Sequence, residues 1–210
     1  MMKYLIGLFT ALLLAGSAVA ADVAPNVTPD VLVKSVTNEV LEIVRKDKDI
    51  QSGNTQKTLD LVETKVLPHF NFPRMTQLAL GREVKQASPE QLKTLTEEFR
   101  DLLVRTYSKA LTEFRDQQIS FKPFKMEAAD TDVKVRTEIK QTGGKAVPLD
   151  YYLEKTASGW KVYDLEVAGV SLVTNYRSSF AQEIRANGID GLIRTLQAKN
   201  KHPVAPAKAK

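Results

Sequence analysis

The run VKVRTEIK at residues 133–140 decides the fold class of this chain. Val133, Val135, Thr137 and Ile139 alternate with four charged residues. Successive side chains of a β-strand point to opposite faces of the sheet, so this period of two predicts a strand with one face buried and the other in water. The helical spacing of the preceding segment stops before this run, which indicates a change from helices to sheet.

Three further stretches extend the predicted sheet. The run VPLDYYLE at 147–154 alternates in the same way, and the glycine pair at 143–144 predicts the hairpin that joins it to the first strand. A turn over 157–159 leads to another strand at 160–167, and residues 121–126 are a candidate fourth. Consecutive hairpins make neighbouring strands antiparallel, so we expect an antiparallel sheet of about four strands.

Helical spacing of apolar residues is found on both sides of this sheet in the sequence. Ser88 is a predicted N-cap, because Pro89 fits the first helical turn and Gln91 completes a capping box. Thr28, which is also followed by proline, is predicted to cap the first helix. The predicted helices cover residues 29–45, 59–67, 71–80, 89–114, 171–187 and 189–199. Helices, then a meander of strands, then helices indicate an α+β domain.

The two ends of the chain differ from the domain between them. Lys3, the apolar run at 4–15 and the Ala-Val-Ala sequence at 18–20 predict a signal peptide that is cleaved after residue 20. The apolar run is too short for a permanent transmembrane helix, although an N-terminal anchor stays open as an alternative. We therefore expect an exported chain with one domain at 21–200 and a disordered basic tail at 201–210.

Composition excludes several classes of site. The chain has no cysteine, so it has no disulfide, no thiol nucleophile and no lipid-attachment cysteine. Its two histidines, His69 and His202, are not in a metal-ligand spacing. The formal net charge is +5, with basic and acidic residues mixed along the sequence. This disfavours nucleic acid as a partner and is compatible with an anionic membrane surface or an acidic protein.

Asp164 and Glu166 are the acidic pair most suggestive of chemistry, since they share one face of the strand predicted at 160–167. Inside a pocket, two such carboxyls can serve as general acid and general base. A wet strand face or a salt bridge is the more common setting for such a pair. A small-molecule enzyme that uses Asp164 or Glu166 therefore stays open as an alternative function.

Four segments together resemble the periplasmic toluene-tolerance family of MlaC-type phospholipid carriers. They are VLPHFNFPRMTQLALGR at 66–82, FRDLLVRTY at 99–107, VYDLEVAGVSLVTNYRSSF at 162–180 and GIDGL at 188–192. They occur in the family's order and cover essentially the whole chain after the signal peptide. No single segment is diagnostic, and the four in sequence make the resemblance specific.

The resemblance implies a fold, a ligand and partners. It implies a bent antiparallel sheet flanked by helices and enclosing a deep apolar cavity, in which the acyl chains of a phospholipid lie with the headgroup near solvent. It implies a soluble periplasmic carrier between an outer-membrane lipoprotein–porin complex and the inner-membrane ring protein of an ABC transporter. It implies no catalytic residue, metal or cofactor, and we expect a monomer. An exported chaperone for apolar client segments stays open beside the enzyme alternative.

We expect the cavity wall to consist of apolar residues from the inward strand faces and from the facing helices. The predicted lipid-binding residues are Val104, Tyr107, Leu111, Phe114, Val135, Ile139, Leu149, Tyr151, Leu153, Trp160, Val162, Val170, Val173, Tyr176 and Phe180. No basic cluster converges on one turn, so we expect no strong headgroup site. Arg105 and Arg177 are candidates for the mouth of the cavity.

Overall fold

The computed structural model describes residues 27–141 and 143–201, so the predicted signal peptide at 1–20 and the predicted tail beyond Lys201 lie outside the described residues. The helices are α1 (Pro29–Lys46), α2 (Lys48–Gln51), α3 (Thr55–Leu61), α4 (Phe72–Leu80), α5 (Pro89–Tyr107), α6 (Lys109–Thr112) and α7 (Arg177–Lys201). The strands are β1 (Gln118–Phe121), β2 (Asp132–Lys140), β3 (Val147–Thr156), β4 (Gly159–Val167) and β5 (Val170–Ser171). The predicted α+β class is confirmed.

The described strands form one antiparallel sheet in the order β1-β2-β3-β4-β5. The predicted meander is therefore confirmed, with the short strand β5 in addition. The strand expected at 121–126 lies instead at 118–121. The Lys122 N–H still donates to the Arg136 carbonyl at 3.0 Å, but Pro123 has no N–H with which to continue the ladder.

A β-bulge in β4 changes which of its side chains share a face with β3. The pairing of the two strands shifts by one residue, and Tyr163 is the extra residue on β4. Val162 before the bulge pairs with Leu153, and Leu165 after it pairs with Tyr151. Because both partners lie on one face of β3, Val162 and Leu165 face the same side although they are three residues apart.

Two predicted N-caps have different outcomes. At the start of α5 the capping box is present: the Gln91 N–H donates to Ser88 Oγ at 3.2 Å, and the Ser88 N–H donates to Gln91 Oε1 at 2.9 Å. At the start of α1, Thr28 makes no capping bond with its side chain. The first helical turn of α1 is therefore held by Pro29 and by packing, not by the Thr28 hydroxyl.

The C-terminal helix begins later and runs further than expected. β5 and a 3₁₀ turn at Thr174–Tyr176 precede it, so the helix predicted from Ser171 starts at Arg177. Gly188 in α7 is non-helical, with φ 69° and ψ −177°, so α7 consists of two helical segments that meet at a kink, and the predicted helix end at Asn187–Gly188 is confirmed. Glycine adopts this left-handed conformation without a steric penalty. No helix among residues 27–141 and 143–201 is both long and apolar enough to cross a membrane.

Three apolar clusters hold the elements together. The helical cluster joins α4, α5 and α7, and its buried members include Leu80, Leu95, Phe99, Phe180 and Leu192. The sheet cluster joins α1 to one face of the sheet through Leu32, Val33, Val135, Leu153, Trp160 and Val162. The α1 cluster joins the second half of α1 to α2 and α3 through Val40, Leu41, Val44, Ile50, Leu61 and Phe114. No buried member of the helical cluster lies on a described strand, so α5 and α7 are packed mainly on each other and on α4.

Candidate functional site

The face of the sheet that carries the sheet cluster, called the inner face below, is covered at one end only. Along β3, Leu153 is 0% exposed, Tyr151 and Leu149 are half-buried, and Val147 is 37% exposed. All four lie on the same face because they are two residues apart. α1 covers the Leu153 end through the sheet cluster. The inner face thus passes from packed core to solvent within one strand.

Tyr151 lies at the boundary between the covered and the open part of the inner face. Burial raises the pKa of its hydroxyl. The hydroxyl is therefore neutral, and the Tyr151 ring adds apolar surface to the inner face.

Aromatic side chains dominate the part of the helical cluster that contains the predicted helix residues. The Phe99 ring centroid lies 5.1 Å from that of Tyr176 and 5.2 Å from that of Phe180, and both contacts are edge-to-face. Burial raises the pKa of the Tyr107 hydroxyl and of the Tyr176 hydroxyl. Phe99 and Phe180 are buried whereas the two tyrosines are half-buried, so the tyrosines form the open edge of the helical cluster.

The fifteen predicted lipid-binding residues do not form one cluster, and they differ in exposure. The buried ones are Phe114, Val135, Leu153, Trp160, Val162, Val173 and Phe180. The half-buried ones are Val104, Tyr107, Leu111, Ile139, Leu149, Tyr151 and Tyr176. Val170 is 53% exposed. The buried set is divided among the three apolar clusters, and the half-buried set, apart from Val104 on α5, lies at the cluster edges and on the open part of the inner face.

The prediction missed inner-face residues that follow the β-bulge. Leu165 and Val167 pair with Tyr151 and Leu149, so they continue the inner face on β4. The sequence contains a sign of the bulge, because the apolar positions of β4 change from even numbers (160 and 162) to odd numbers (165 and 167). Leu32 and Val33 of α1 were also missed, because nothing in a helical pattern says which face of the sheet a helix covers.

The Asp164 and Glu166 carboxyls both have partners in the structure. Asp164 Oδ1 accepts from the Leu165 N–H at 2.8 Å and from the Val173 N–H at 3.1 Å, and Asp164 Oδ2 accepts from the Ser171 hydroxyl. Burial raises the pKa of Asp164, while these hydrogen bonds act in the opposite direction. The arrangement ties β4 to the segment that follows β5. It is a structural connection between these two segments.

Glu166 belongs to a polar group on the opposite side of the sheet from the inner face. Its Oε2 accepts from the Tyr152 hydroxyl at 2.7 Å, and its Oε1 lies 3.4 Å from Lys134 Nζ. Lys134 also pairs with Asp150 at 2.7 Å. The geometry therefore favours the salt-bridge interpretation of this strand face.

Of the two arginines proposed for the mouth, Arg177 has a structural contact. Its Nε and Nη2 donate to the Leu78 carbonyl at 3.1 and 2.9 Å, which connects the end of α4 to the start of α7. The guanidinium lies over Gly81, where a Cβ would come within 3.3 Å of Nε and where φ is +57°. Arg105 is exposed near the end of α5.

Among the residues that the structure describes, neither a metal site nor the surface groove between α4 and α5 involves the predicted lipid-binding residues. Within the described ranges, no group of three or more His, Cys, Asp or Glu side chains is arranged to hold a metal ion. A surface groove of about 310 Å³ lies between α4 and α5 and is lined by Pro73, Gln77, Leu92, Lys93, Thr96 and Glu97. None of the predicted lipid-binding residues lines it.

Comparison with known proteins connects this geometry to a family. A family model described as MlaC protein matches residues 34–198. The chain is 26% identical, over 198 residues, to the intermembrane phospholipid transport system binding protein MlaC of Haemophilus influenzae, covering 93% of this chain and 90% of the relative. It is 28% identical, over 166 residues, to the toluene tolerance protein ttg2D of Pseudomonas putida, covering 78% and 76%.

A solved structure has the same fold. It is that of a phospholipid-binding protein from Ralstonia solanacearum in complex with a phospholipid, with a TM-score of 0.77 and 40% identity, covering 83% of this chain and 98% of the other. The family model spans α1 to α7 and all five described strands, and the solved relative agrees with it in fold. The chain therefore belongs to the MlaC family.

Proposed function

We propose that this chain is a phospholipid carrier that holds acyl chains against the open part of its inner sheet face and the half-buried residues at the edges of the apolar clusters. The observation that carries the proposal is the solved relative, which is 40% identical and is in complex with a phospholipid. The open part of the inner face supports it, since a soluble domain rarely leaves apolar side chains half-covered without a use.

In this proposal the two sets of predicted residues have different roles. The half-buried set, with Leu165 and Val167 added, contacts acyl chains, because these side chains have apolar surface that no described neighbour covers. The buried set maintains the shape of the wall. Tyr107 and Tyr176 place two neutral hydroxyls beside the lipid, because burial raises the pKa of both.

The energetics of a carrier differ from those of an ordinary binding protein. Burying one methylene is worth about 0.8 kcal/mol relative to water, so two acyl chains of about sixteen carbons would exceed the practical limit of about 20 kcal/mol. The lipid comes from a bilayer that already removes those methylenes from water. The net transfer free energy is therefore near zero, and the carrier both loads and unloads.

The remaining parts of the proposal concern location and partners. The chain is exported to the periplasm by a cleaved signal peptide at 1–20 and works as a single lipid-binding domain at 21–200, as a monomer and without a cofactor. It passes phospholipid between an outer-membrane lipoprotein–porin complex and the inner-membrane ring protein of an ABC transporter. The relative named as an intermembrane phospholipid transport system binding protein supports this assignment.

Lipid extraction tests the proposed function directly. The full chain is expressed with its own leader, purified from the periplasmic fraction, and its intact mass is measured to locate the cleavage site. Organic extraction followed by mass spectrometry is expected to give phospholipid in near-stoichiometric amount. An exported protein of similar size from the same cells is the control for carry-over. A folded but lipid-free protein that converts an apolar small molecule would favour the enzyme alternative instead.

A further inference from the structure

One edge of the sheet exposes a continuous set of small apolar residues, here called the rim. It consists of Ala146, Val147, Pro148, Ala168, Gly169 and Val170, all of which are exposed. They come from the start of β3 and from the turn between β4 and β5. The Ala168 N–H donates to the Pro148 carbonyl at 2.9 Å, so the two parts of the rim are held side by side. Val147 and Val170 are two of the three large apolar side chains that are exposed in the described structure.

The two valines of the rim lie at the open end of the inner face. Val147 pairs with Ile139, and Val170 pairs with Val167, which in turn pairs with Leu149. Residues paired across strands lie on the same face of a sheet, so both valines point the same way as the half-buried inner-face residues. The apolar surface therefore continues without interruption from the packed core to the solvent-exposed rim.

Positive charge that no neighbour compensates lies beside the rim. Lys140 ends β2 and Lys145 precedes β3, and both are exposed and outside every ion pair of the described residues. The carboxylates on the adjoining strands have partners of their own. Glu138 pairs with Lys122 at 2.6 Å, and Asp150 pairs with Lys134 at 2.7 Å.

We infer that the rim is a docking surface for an anionic lipid bilayer. Small aliphatic side chains enter the region between headgroups and acyl chains, while flanking lysines stay at the level of the phosphates and are attracted to them. The charge on this edge is complementary to anionic lipid, and the apolar strip between the lysines suits a bilayer better than a purely charged protein surface. The use of this surface rests on the proposed function, because docking here would present the open end of the inner face to the membrane.

Vesicle sedimentation with the full chain tests the inference. The probes are vesicles of phosphatidylcholine alone and vesicles in which about one-third of the lipid is phosphatidylglycerol, at low and at physiological salt. The protein is expected to partition into the anionic vesicles preferentially, and less so as salt rises. Lys145→Ala should lower the partition coefficient about fivefold, and Val170→Asp should lower it by at least about as much.

The chain offers matched controls on α1. Val31 is 50% exposed, close to Val170, and Lys34 is exposed like Lys145, and neither lies on the sheet. Val31→Asp and Lys34→Ala should leave vesicle binding unchanged. Absence of binding to the anionic vesicles, or equal losses in the rim and control variants, would overturn the inference. The thermal midpoint of each variant is measured first to confirm that it is folded. If Val170→Asp does not fold, the comparison of Lys145→Ala with Lys34→Ala decides the outcome.

Lipid content measured on the same samples separates the two proposals. If the protein binds vesicles through the rim but contains no phospholipid after purification, the carrier function is refuted and the docking surface is supported. If the purified protein contains phospholipid but does not bind anionic vesicles, the docking surface is refuted and the carrier function is not. In that case an acidic protein partner becomes the better candidate for the rim.

Discussion

Asp164 is a buried carboxyl group whose hydrogen bonds hold two segments of the chain together. It is only 7% exposed, and its carboxyl accepts hydrogen bonds from two backbone N–H groups and from the Ser171 hydroxyl. The Val173 N–H is itself in a buried position. Asp164 therefore acts as an internal cap for the chain segment that leaves β5. Burial raises the pKa of Asp164 and opposes its ionised form, whereas the hydrogen bonds that it accepts favour that form.

Two substitutions at Asp164 separate these contributions. Asp164→Ala leaves the Val173 N–H and its neighbours without an acceptor, and should lower the free energy of unfolding by about 2–3 kcal/mol. Asp164→Asn keeps one carbonyl oxygen for the backbone donors and should cost less than about 1 kcal/mol. Chemical denaturation of both variants measures the difference. Equal losses would mean that the charge matters, and lipid content that disappears in a folded Asp164→Asn protein would return Asp164 to the list of ligand-binding groups.

At the scale of elements, the ends of helices give the cleanest test of what the local sequence contributes. Ser88→Ala removes the hydroxyl that accepts from the Gln91 N–H, so the free energy of unfolding should fall by about 1 kcal/mol. Thr28→Ala is the matched control, since Thr28 also precedes a helix and a proline but makes no capping bond with its side chain. Its effect should be within a few tenths of a kcal/mol. Similar losses in the two variants would show that the capping box does not stabilise α5.

The elements that the sequence predicts well are those whose signal is local. The alternation at 133–140 and the capping box at Ser88 both depend on neighbours within a few residues, and both appear in the structure. The bulge at Tyr163 and the start of α7 at Arg177 were not predicted. Each depends on a distant contact: β4 pairs with β3 across the register shift, and the Arg177 guanidinium binds the Leu78 carbonyl. Such contacts leave little trace in a single sequence.

For the whole molecule, the same distinction explains why the candidate site was only partly predictable. Val135 and Leu149 both lie on the inner face, and their alternation patterns are equally clear. Val135 is 1% exposed within the sheet cluster, whereas Leu149 is half-buried and outside the buried clusters. The difference is made by α1, which crosses one part of the sheet and not the other. A pattern of apolar residues identifies the face but not the part of it that another element covers.

This difference between Val135 and Leu149 gives a test of whether the open part of the inner face holds lipid. In a packed core an enlarged side chain costs about 1–3 kcal/mol through strain, so Val135→Trp should lower the stability of the delipidated protein by at least that much. Leu149→Trp adds its bulk where an acyl chain would lie, so the delipidated protein should lose less than about 1 kcal/mol while its bound phospholipid falls after reloading from vesicles. Denaturant midpoints and phospholipid per chain are measured for both variants beside the parent. If Leu149→Trp is as destabilising as Val135→Trp and its folded fraction still holds a full complement of lipid, then Leu149 belongs to the packed core and the acyl chains lie elsewhere.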